Sequence, residues 1–218
     1  MGAKRAAIAG LGTLGLLISG AAASFGAGSE GENSSSSSGD SATMVNELVP
    51  AFSVEQAPED ELRDEIAEIS GVVPQTSRLL GEAQNVRFWA ATSRSGAICL
   101  IAQLPNGEHA LPGDDPVTGT ACTPASVFAT QGAAISVGGY TAAHGVVAYL
   151  LPAKAPESSV RAAASQVDHT DVLGSRGTSH LIAVTPDAAD RAAGLVISTV
   201  DTKTFTLPDL DTCGSACH

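Results

Sequence analysis

The chain has 218 residues, which suits one domain with terminal extensions better than two domains, since a domain commonly contains about 100–200 residues. Hydrophobic residues make up 44% of the sequence and aromatic residues only 4%, so a core would consist mainly of aliphatic side chains and alanine. The 23 acidic and 11 basic residues give a formal net charge of −12, which repels phosphate backbones and anionic lipid headgroups. We therefore expect no nucleic-acid partner.

The N-terminal segment predicts export from the cytoplasm. Lys4 and Arg5 precede an uncharged apolar run, and Ala21 to Ala23 form a small-residue A-x-A site, so all three parts of a secretory signal are present. The apolar run is also close to the length of a membrane-spanning helix. Residues 1–23 are therefore predicted either to be cleaved after Ala23 or to remain as an N-terminal membrane anchor. In both cases the positive-inside rule places the rest of the chain outside the cytoplasm, secreted or anchored in the cytoplasmic membrane.

Residues 24–54 are predicted to form a flexible linker. Serine, glycine and acidic residues dominate its first part, which includes five consecutive serines from Ser34 to Ser38. Such a composition buries too little apolar surface to offset the entropy lost on ordering. Residues 30–70 contain eleven acidic residues and a single basic one, Arg63, so most of the negative charge precedes the domain.

An acidic amphipathic helix is predicted at residues 58–70. Leu62, Ile66 and Ile69 recur at the helical spacing i, i+4 and i+7, a proline occupies the first position, and Gly71 follows the last. We expect its apolar side to pack against the flank of the domain, and docking of a partner is the alternative.

Residues 55–210 are predicted to form an extracytoplasmic α+β domain, with a cysteine-containing tail at 211–218. Beyond Pro74, short β-prone runs alternate with turn residues. The predicted strands are residues 86–91, 97–101, 119–122, 133–137, 145–151, 180–184 and 195–200. Short helices are predicted at residues 123–132, 156–167 and 185–194. Strands in series with short helical insertions indicate a mainly antiparallel sheet.

The end of this domain predicts a closing hairpin. Val196, Ser198 and Val200 alternate along one strand, and Phe205 and Leu207 follow a polar turn. Alternation of this kind is typical of strands with one face buried.

Several motifs between residues 75 and 152 occur together. They are Ser77-Arg-Leu-Leu-Gly81, Val86-Arg-Phe-Trp-Ala-Ala91, Gly96-Ala-Ile-Cys99-Leu-Ile101, Cys122-Thr-Pro124, and Phe128 ahead of Gly132. This stretch resembles the extracytoplasmic part of uncharacterised exported or single-pass actinobacterial proteins. In those proteins a strand carrying G-x-x-C-L precedes a second cysteine, a short helix and an apolar strand that ends in proline. The resemblance implies an extracytoplasmic location and paired cysteines, and it implies no activity.

The four cysteines are predicted to form disulfides. An even number of cysteines in an exported chain favours disulfides over free thiols or zinc ligands. Three connectivities exist, and we expect Cys99 with Cys122 and Cys213 with Cys217, because each of these pairs is local in sequence. Cys213, Cys217 and His218 also form C-x-x-x-C-H, one residue longer than the haem-attachment pattern, so a redox, haem or metal site there is an alternative.

The sequence carries no recognisable catalytic motif. Patterns of α/β-hydrolases, zinc peptidases, P-loop proteins and EF-hands are missing, and Gly10 to Gly15 matches a dinucleotide fingerprint only inside the targeting segment. His169, beside Asp168 and Asp171, and His180, at the start of an apolar run, are the candidate acid–base residues. We expect a turn residue at His169 and a strand-edge residue at His180. The catalytic residues are thus unknown, and no cofactor or metal is predicted.

These patterns predict a non-enzymatic extracytoplasmic domain with a binding or structural role. Its expected partner is an envelope protein or the cell wall. The alternative is a secreted hydrolase that uses His169 or His180, and a second alternative is a site at Cys213, Cys217 and His218. The hydrolase would need a histidine, an orienting acid and a nucleophile within hydrogen-bond reach of one another.

Overall fold

The computed structural model describes residues 37–104, 117–138, 145–174, 180–201 and 203–208. Within these ranges the α-helices are α1 (Ser37–Leu48), α2 (Asp64–Ser70), α3 (Ala125–Gln131), α4 (Glu157–Ala164) and α5 (Pro186–Ala192). The strands are β1 (Arg78–Ala83), β2 (Val86–Thr92), β3 (Ile98–Leu104), β4 (Val117–Thr123), β5 (Ala133–Val137), β6 (Val146–Leu151), β7 (Thr170–Gly174), β8 (His180–Val184), β9 (Val196–Ser198) and β10 (Thr204–Thr206). No helix in these ranges has the length and apolar character needed to cross a membrane.

The strands form two four-stranded antiparallel sheets and a separate hairpin. Sheet 1 has the order β1-β2-β3-β4, so each strand pairs with its neighbour in sequence. Sheet 2 has the order β5-β6-β8-β7, in which α4 joins β6 to β7 and β8 returns between them. β9 and β10 pair with each other.

The main core lies between the two sheets. Phe88 and Leu100 of sheet 1 share one buried cluster with Ile135, Leu150 and Leu181 of sheet 2. Alternate residues of a strand point to opposite faces, so each sheet contributes one full face to this core.

Both outer faces of the sandwich are covered as well. On sheet 1, Trp89 and Ile101 pack against Ile66 of α2 and Leu62 of the extended segment before it. On sheet 2, apolar residues of β6 and β8 pack against α4, α5 and the β9–β10 hairpin. The result is a stack of four layers, with helices outside two facing sheets.

The predicted α+β class with antiparallel strands and short helices is confirmed. All seven predicted strands and all three predicted helices of the domain have counterparts, with bounds that differ by up to three residues. β1 and β7 were not predicted. β1 is interrupted by a bulge between Leu79 and Gly81, and β7 is an edge strand with two partly buried apolar residues, so neither shows clear alternation.

Gly132 ends α3. This residue has φ 67° and ψ −157°, a conformation that residues with a Cβ rarely adopt. A Cβ here would also collide with the backbone oxygen of Leu150. Gly132 therefore allows the chain to turn directly from α3 into β5.

The predicted flexible linker at residues 24–54 is wrong in its second half. Residues 24–36 lie outside the described residues, but α1 begins at Ser37 and a 3-10 helix spans Pro50–Ser53. Val45, Leu48 and Val49 are buried in the main core. Their spacing places them on one side of the chain, and their burial outweighs the weak helix propensity of the serines before them.

The predicted acidic helix at residues 58–70 is also shorter than expected. A 3-10 turn at Pro58–Asp60 and an extended segment precede α2, which begins at Asp64. Leu62 and Ile66 are buried as predicted, whereas Ile69 is 83% exposed. Leu62 lies outside the helix, so the spacing that included it does not describe a single continuous helical face.

A pair of matched substitutions tests this arrangement. Ile66→Val removes one buried methylene group and is expected to lower the free energy of unfolding by about 0.5–1.5 kcal/mol. Ile69→Val changes an exposed side chain and is expected to stay within about 0.5 kcal/mol of the wild type. Urea unfolding of both variants measures the difference, and an equal loss in both would contradict the assigned burial.

The closing hairpin is present, but one of its strands has the opposite face buried. Ile197 is buried, whereas Val196 and Val200 are exposed. Phe205 and Leu207 are buried as predicted. Because side chains alternate along a strand, an error of one residue in the predicted face exchanges every buried and exposed position.

Candidate functional site

The most strongly buried carboxylate of the described residues is Asp60, which is 1% exposed. Its Oδ2 accepts a hydrogen bond from the backbone N–H of Ala57 (2.8 Å), and its Oδ1 accepts one from the N–H of Leu79 (2.9 Å). The Ser77 hydroxyl donates to the Asp60 backbone carbonyl (2.7 Å). Asp60 thus joins the 3-10 turn at Pro58–Asp60 to the start of β1.

Three further polar side chains complete this buried junction. The side-chain amide of Gln56 donates to the Pro74 carbonyl (2.9 Å) and to the Ser77 hydroxyl (2.9 Å). Arg78 is 9% exposed, and its Nε donates to the Val54 carbonyl (2.9 Å). Most of these bonds end on backbone groups, which is typical of a cluster that fixes chain geometry. The junction of Gln56, Asp60, Ser77 and Arg78 therefore holds residues 54–60 against β1.

Sequence reasoning missed this junction because Asp60 lies in a run of exposed acidic residues. One local signal was available. Ala57, the residue before Pro58, is the N-cap of the turn, and Asp60 is three positions after it. An acidic side chain at that position can accept a hydrogen bond from the N-cap N–H, which is one half of a capping box. The second bond, to Leu79, spans 19 residues and has no local signature.

Cys99 and Cys122 form a disulfide, as the sequence predicts. They occupy directly opposed positions on β3 and β4, with a Cα–Cα distance of 4.0 Å. Cys99 is fully buried under α2 in the cluster with Trp89, whereas Cys122 is exposed on the edge strand β4. The bond therefore ties an edge strand to the centre of sheet 1.

The structure separates the two candidate acid–base histidines. His169 is exposed, has φ 55° and lies just before β7, as expected of a turn residue. His180 begins β8 and is opposite Gly174, the last residue of β7. At about 3.3 Å per residue, the five residue steps from His169 to Gly174 place the two histidines about 16 Å apart along the sheet.

Neither histidine has the partners that a catalytic dyad requires. No side-chain hydrogen bond joins His169 or His180 to a serine or carboxylate within the described ranges, and Nδ1 of His180 is buried there without a partner. The same part of the chain contains no group of three or more His, Cys, Asp or Glu residues that could hold a metal ion. Cys213, Cys217 and His218 lie outside the described residues.

One surface depression has a volume of about 330 Å³. It lies between α1, the turn that joins β2 to β3, and the start of α3. Its lining consists of Met44, Val45, Ser95, Gly96, Ala97, Pro124, Ala125 and Ser126. None of these side chains titrates, so the depression offers shape and hydroxyl groups but no acid–base chemistry.

Comparison with known proteins gives no relative: no family model matches the chain, and no curated protein or solved structure is significantly similar to it.

Proposed function

We propose that this chain is a non-enzymatic extracytoplasmic domain, secreted or anchored in the cytoplasmic membrane, with a binding or structural role at the cell envelope. The observation that carries the proposal is the disulfide between Cys99 and Cys122. Structural disulfides persist in oxidising compartments outside the cytoplasm and are rare within it. The basic start and apolar run of residues 1–23 support the same location.

The distribution of polar groups supports a role other than catalysis. The buried polar groups at Asp60, Ser77 and Arg78 bond mainly to backbone atoms and thereby support the fold. A binding role requires only exposed surface on a rigid scaffold, which the two packed sheets and their covering helices provide.

The charge of the surface restricts the partner. Exposed carboxylates crowd α2 and the segment before it: Glu55, Glu59, Glu61, Asp64, Glu65 and Glu68. Such a surface repels anionic polymers and lipid headgroups. Contact with an acidic envelope component would therefore use another face of the domain.

Export and cysteine pairing can be tested together. The full chain and a variant lacking residues 2–23 are expressed in a bacterial host, fractionated and alkylated before peptide mapping under non-reducing conditions. We expect the full chain outside the cytoplasm with Cys99 linked to Cys122, and the truncated chain in the cytoplasm with both thiols alkylated. Export of the truncated chain, or free thiols at both positions in exported protein, would contradict the proposal.

The hydrolase alternative has its own test. The exported protein is assayed against ester and peptide substrates, together with the variants His169→Ala and His180→Ala. We expect no hydrolysis above that of the buffer. Hydrolysis that one of these substitutions abolishes would replace the proposed role with an enzymatic one.

A further inference from the structure

His180 occupies an unusual position for an ionisable side chain. It is 4% exposed and lies in β8 opposite Leu151 of β6 and Gly174 of β7. It shares a face of sheet 2 with Ile182 and Val184, because alternate residues of a strand point the same way. That face packs against α4, which connects β6 to β7 and whose Val160 and Ala163 belong to the same apolar cluster.

The Nδ1 atom of His180 is buried and has no hydrogen-bond partner among the described residues. A neutral imidazole can leave one ring nitrogen unprotonated, whereas an imidazolium carries an N–H on both nitrogens. Protonation of His180 in this position would therefore bury a positive charge and at least one donor without an acceptor. Both changes disfavour the closed state, in which α4 packs on sheet 2 and covers His180.

Two charged groups of α4 act on His180. Glu157 and Arg161 form an ion pair one helical turn apart, with 2.7 Å between Oε1 and Nε. Burial lowers the pKa of His180 from its ordinary value, Glu157 opposes this effect, and Arg161 adds to it. The carboxylate already bonds to Arg161, so it does not serve as a dedicated counterion for His180. Leu151 and Gly174, opposite His180 on β6 and β7, carry no charge, and Arg176 in the connection before β8 lies outside the described residues.

We propose that protonation of His180 releases α4 from sheet 2, so that acidification opens this face of the domain. In the open state the histidine is hydrated and titrates near its ordinary value, while in the closed state it stays neutral to lower pH. The closed state therefore has its full stability above the ordinary pKa of histidine, about 6.5. It loses stability as the pH falls below that value.

The covering helix is suited to such a local opening. α4 has eight residues, and only Val160, Ala163 and Ala164 are buried in it. Two of these are alanines, which bury little apolar surface. Segments with few buried apolar contacts open at lower free energy than the core strands. Opening would expose apolar residues of β8 that α4 otherwise covers.

Hydrogen–deuterium exchange of the full chain at pH 7.5 and 5.0 tests the proposal, after correction for intrinsic exchange rates. We expect peptides that cover residues 157–164 to lose protection at pH 5.0 by up to about thirtyfold. This is the ratio of the open populations at pH 5.0 and 7.5 when His180 titrates at about 6.5 in the open state and stays neutral in the closed state. Peptides that cover β3 should keep their protection, because its residues are buried in the core and core strands open at free energies close to that of global unfolding.

Two matched variants assign the effect to one side chain. His180→Gln is neutral at both pH values and should abolish the pH dependence, whereas His169→Gln, which alters an exposed histidine, should retain it. Titration of the wild type followed by NMR gives the pKa of His180 directly, whether or not the variants fold. Equal protection of residues 157–164 at both pH values, or a pKa of His180 at or above 6.5, would overturn the proposal.

Discussion

Replacing Cys99 or Cys122 with alanine is expected to lower the free energy of unfolding by about 3 kcal/mol, because the unfolded chain regains the entropy that the disulfide removes. The two residues are 23 positions apart, and the connection between β3 and β4 lies inside the closed loop. For a chain of this size the loss corresponds to a fall in melting temperature of about 6–12 °C. Thermal unfolding monitored by circular dichroism, without reductant, measures it.

The contrast between the two cysteines provides the control. Both single substitutions break the same bond, but Cys99 is fully buried and Cys122 is exposed. Cys99→Ala should therefore be the more destabilising, by the additional loss of packing under α2. Cys122→Ala isolates the contribution of the bond itself. A wild-type melting temperature in the Cys122→Ala variant would show that the bond does not constrain the unfolded chain.

The cysteine pair was predictable because the relevant information is local. Cys99 lies in an apolar run, Cys122 lies in the next β-prone run, and a loop rich in turn residues separates them. Adjacent antiparallel strands joined in this way bring residues of the two runs opposite each other. The hairpin of β3 and β4 therefore follows from the sequence, and so does the pairing.

The arrangement of the strands in two sheets was not predictable in the same way. The apolar run of β6 is buried on both faces, as the absence of polar residues in it indicates. Nothing in that run shows that its two faces meet different partners, sheet 1 on one side and the covering helices on the other. The partition depends on contacts between residues far apart in the chain, which local periodicity does not contain.

The N-terminal boundary shows how composition can mislead. The serines and glycines before residue 43 indicate a flexible tether, but the next residues include Val45, Leu48 and Val49, which are apolar at helical spacing. Burial of those three residues makes α1 part of the domain. The apolar spacing of these residues therefore marks the start of the domain, whereas the serine run before them does not.

Asp60→Ala is expected to lower the free energy of unfolding by about 2–4 kcal/mol, because the backbone N–H groups of Ala57 and Leu79 lose their acceptors in a mostly buried site. A run of acidic residues usually indicates a solvated surface, so the sequence assigns no such effect to Asp60. Its neighbour Glu61 is exposed. Glu61→Ala should therefore change the free energy of unfolding by less than about 0.5 kcal/mol.

The conservative variant Asp60→Asn separates hydrogen bonding from shape. An asparagine side chain keeps one carbonyl oxygen as acceptor, so it can satisfy the N–H of Ala57 or that of Leu79 but not both. We expect its loss of stability to lie between those of Glu61→Ala and Asp60→Ala in urea unfolding at neutral pH.

The turn at Pro58–Asp60 leads directly into the segment that carries Leu62 and α2. Weakening this turn should therefore also expose Trp89, which lies beneath them. A shift of the tryptophan fluorescence in Asp60→Ala under native conditions reports that exposure, because Trp89 is the single tryptophan of the chain. Equal stabilities of Asp60→Ala and Glu61→Ala would mean that the buried carboxylate does not hold this segment to β1.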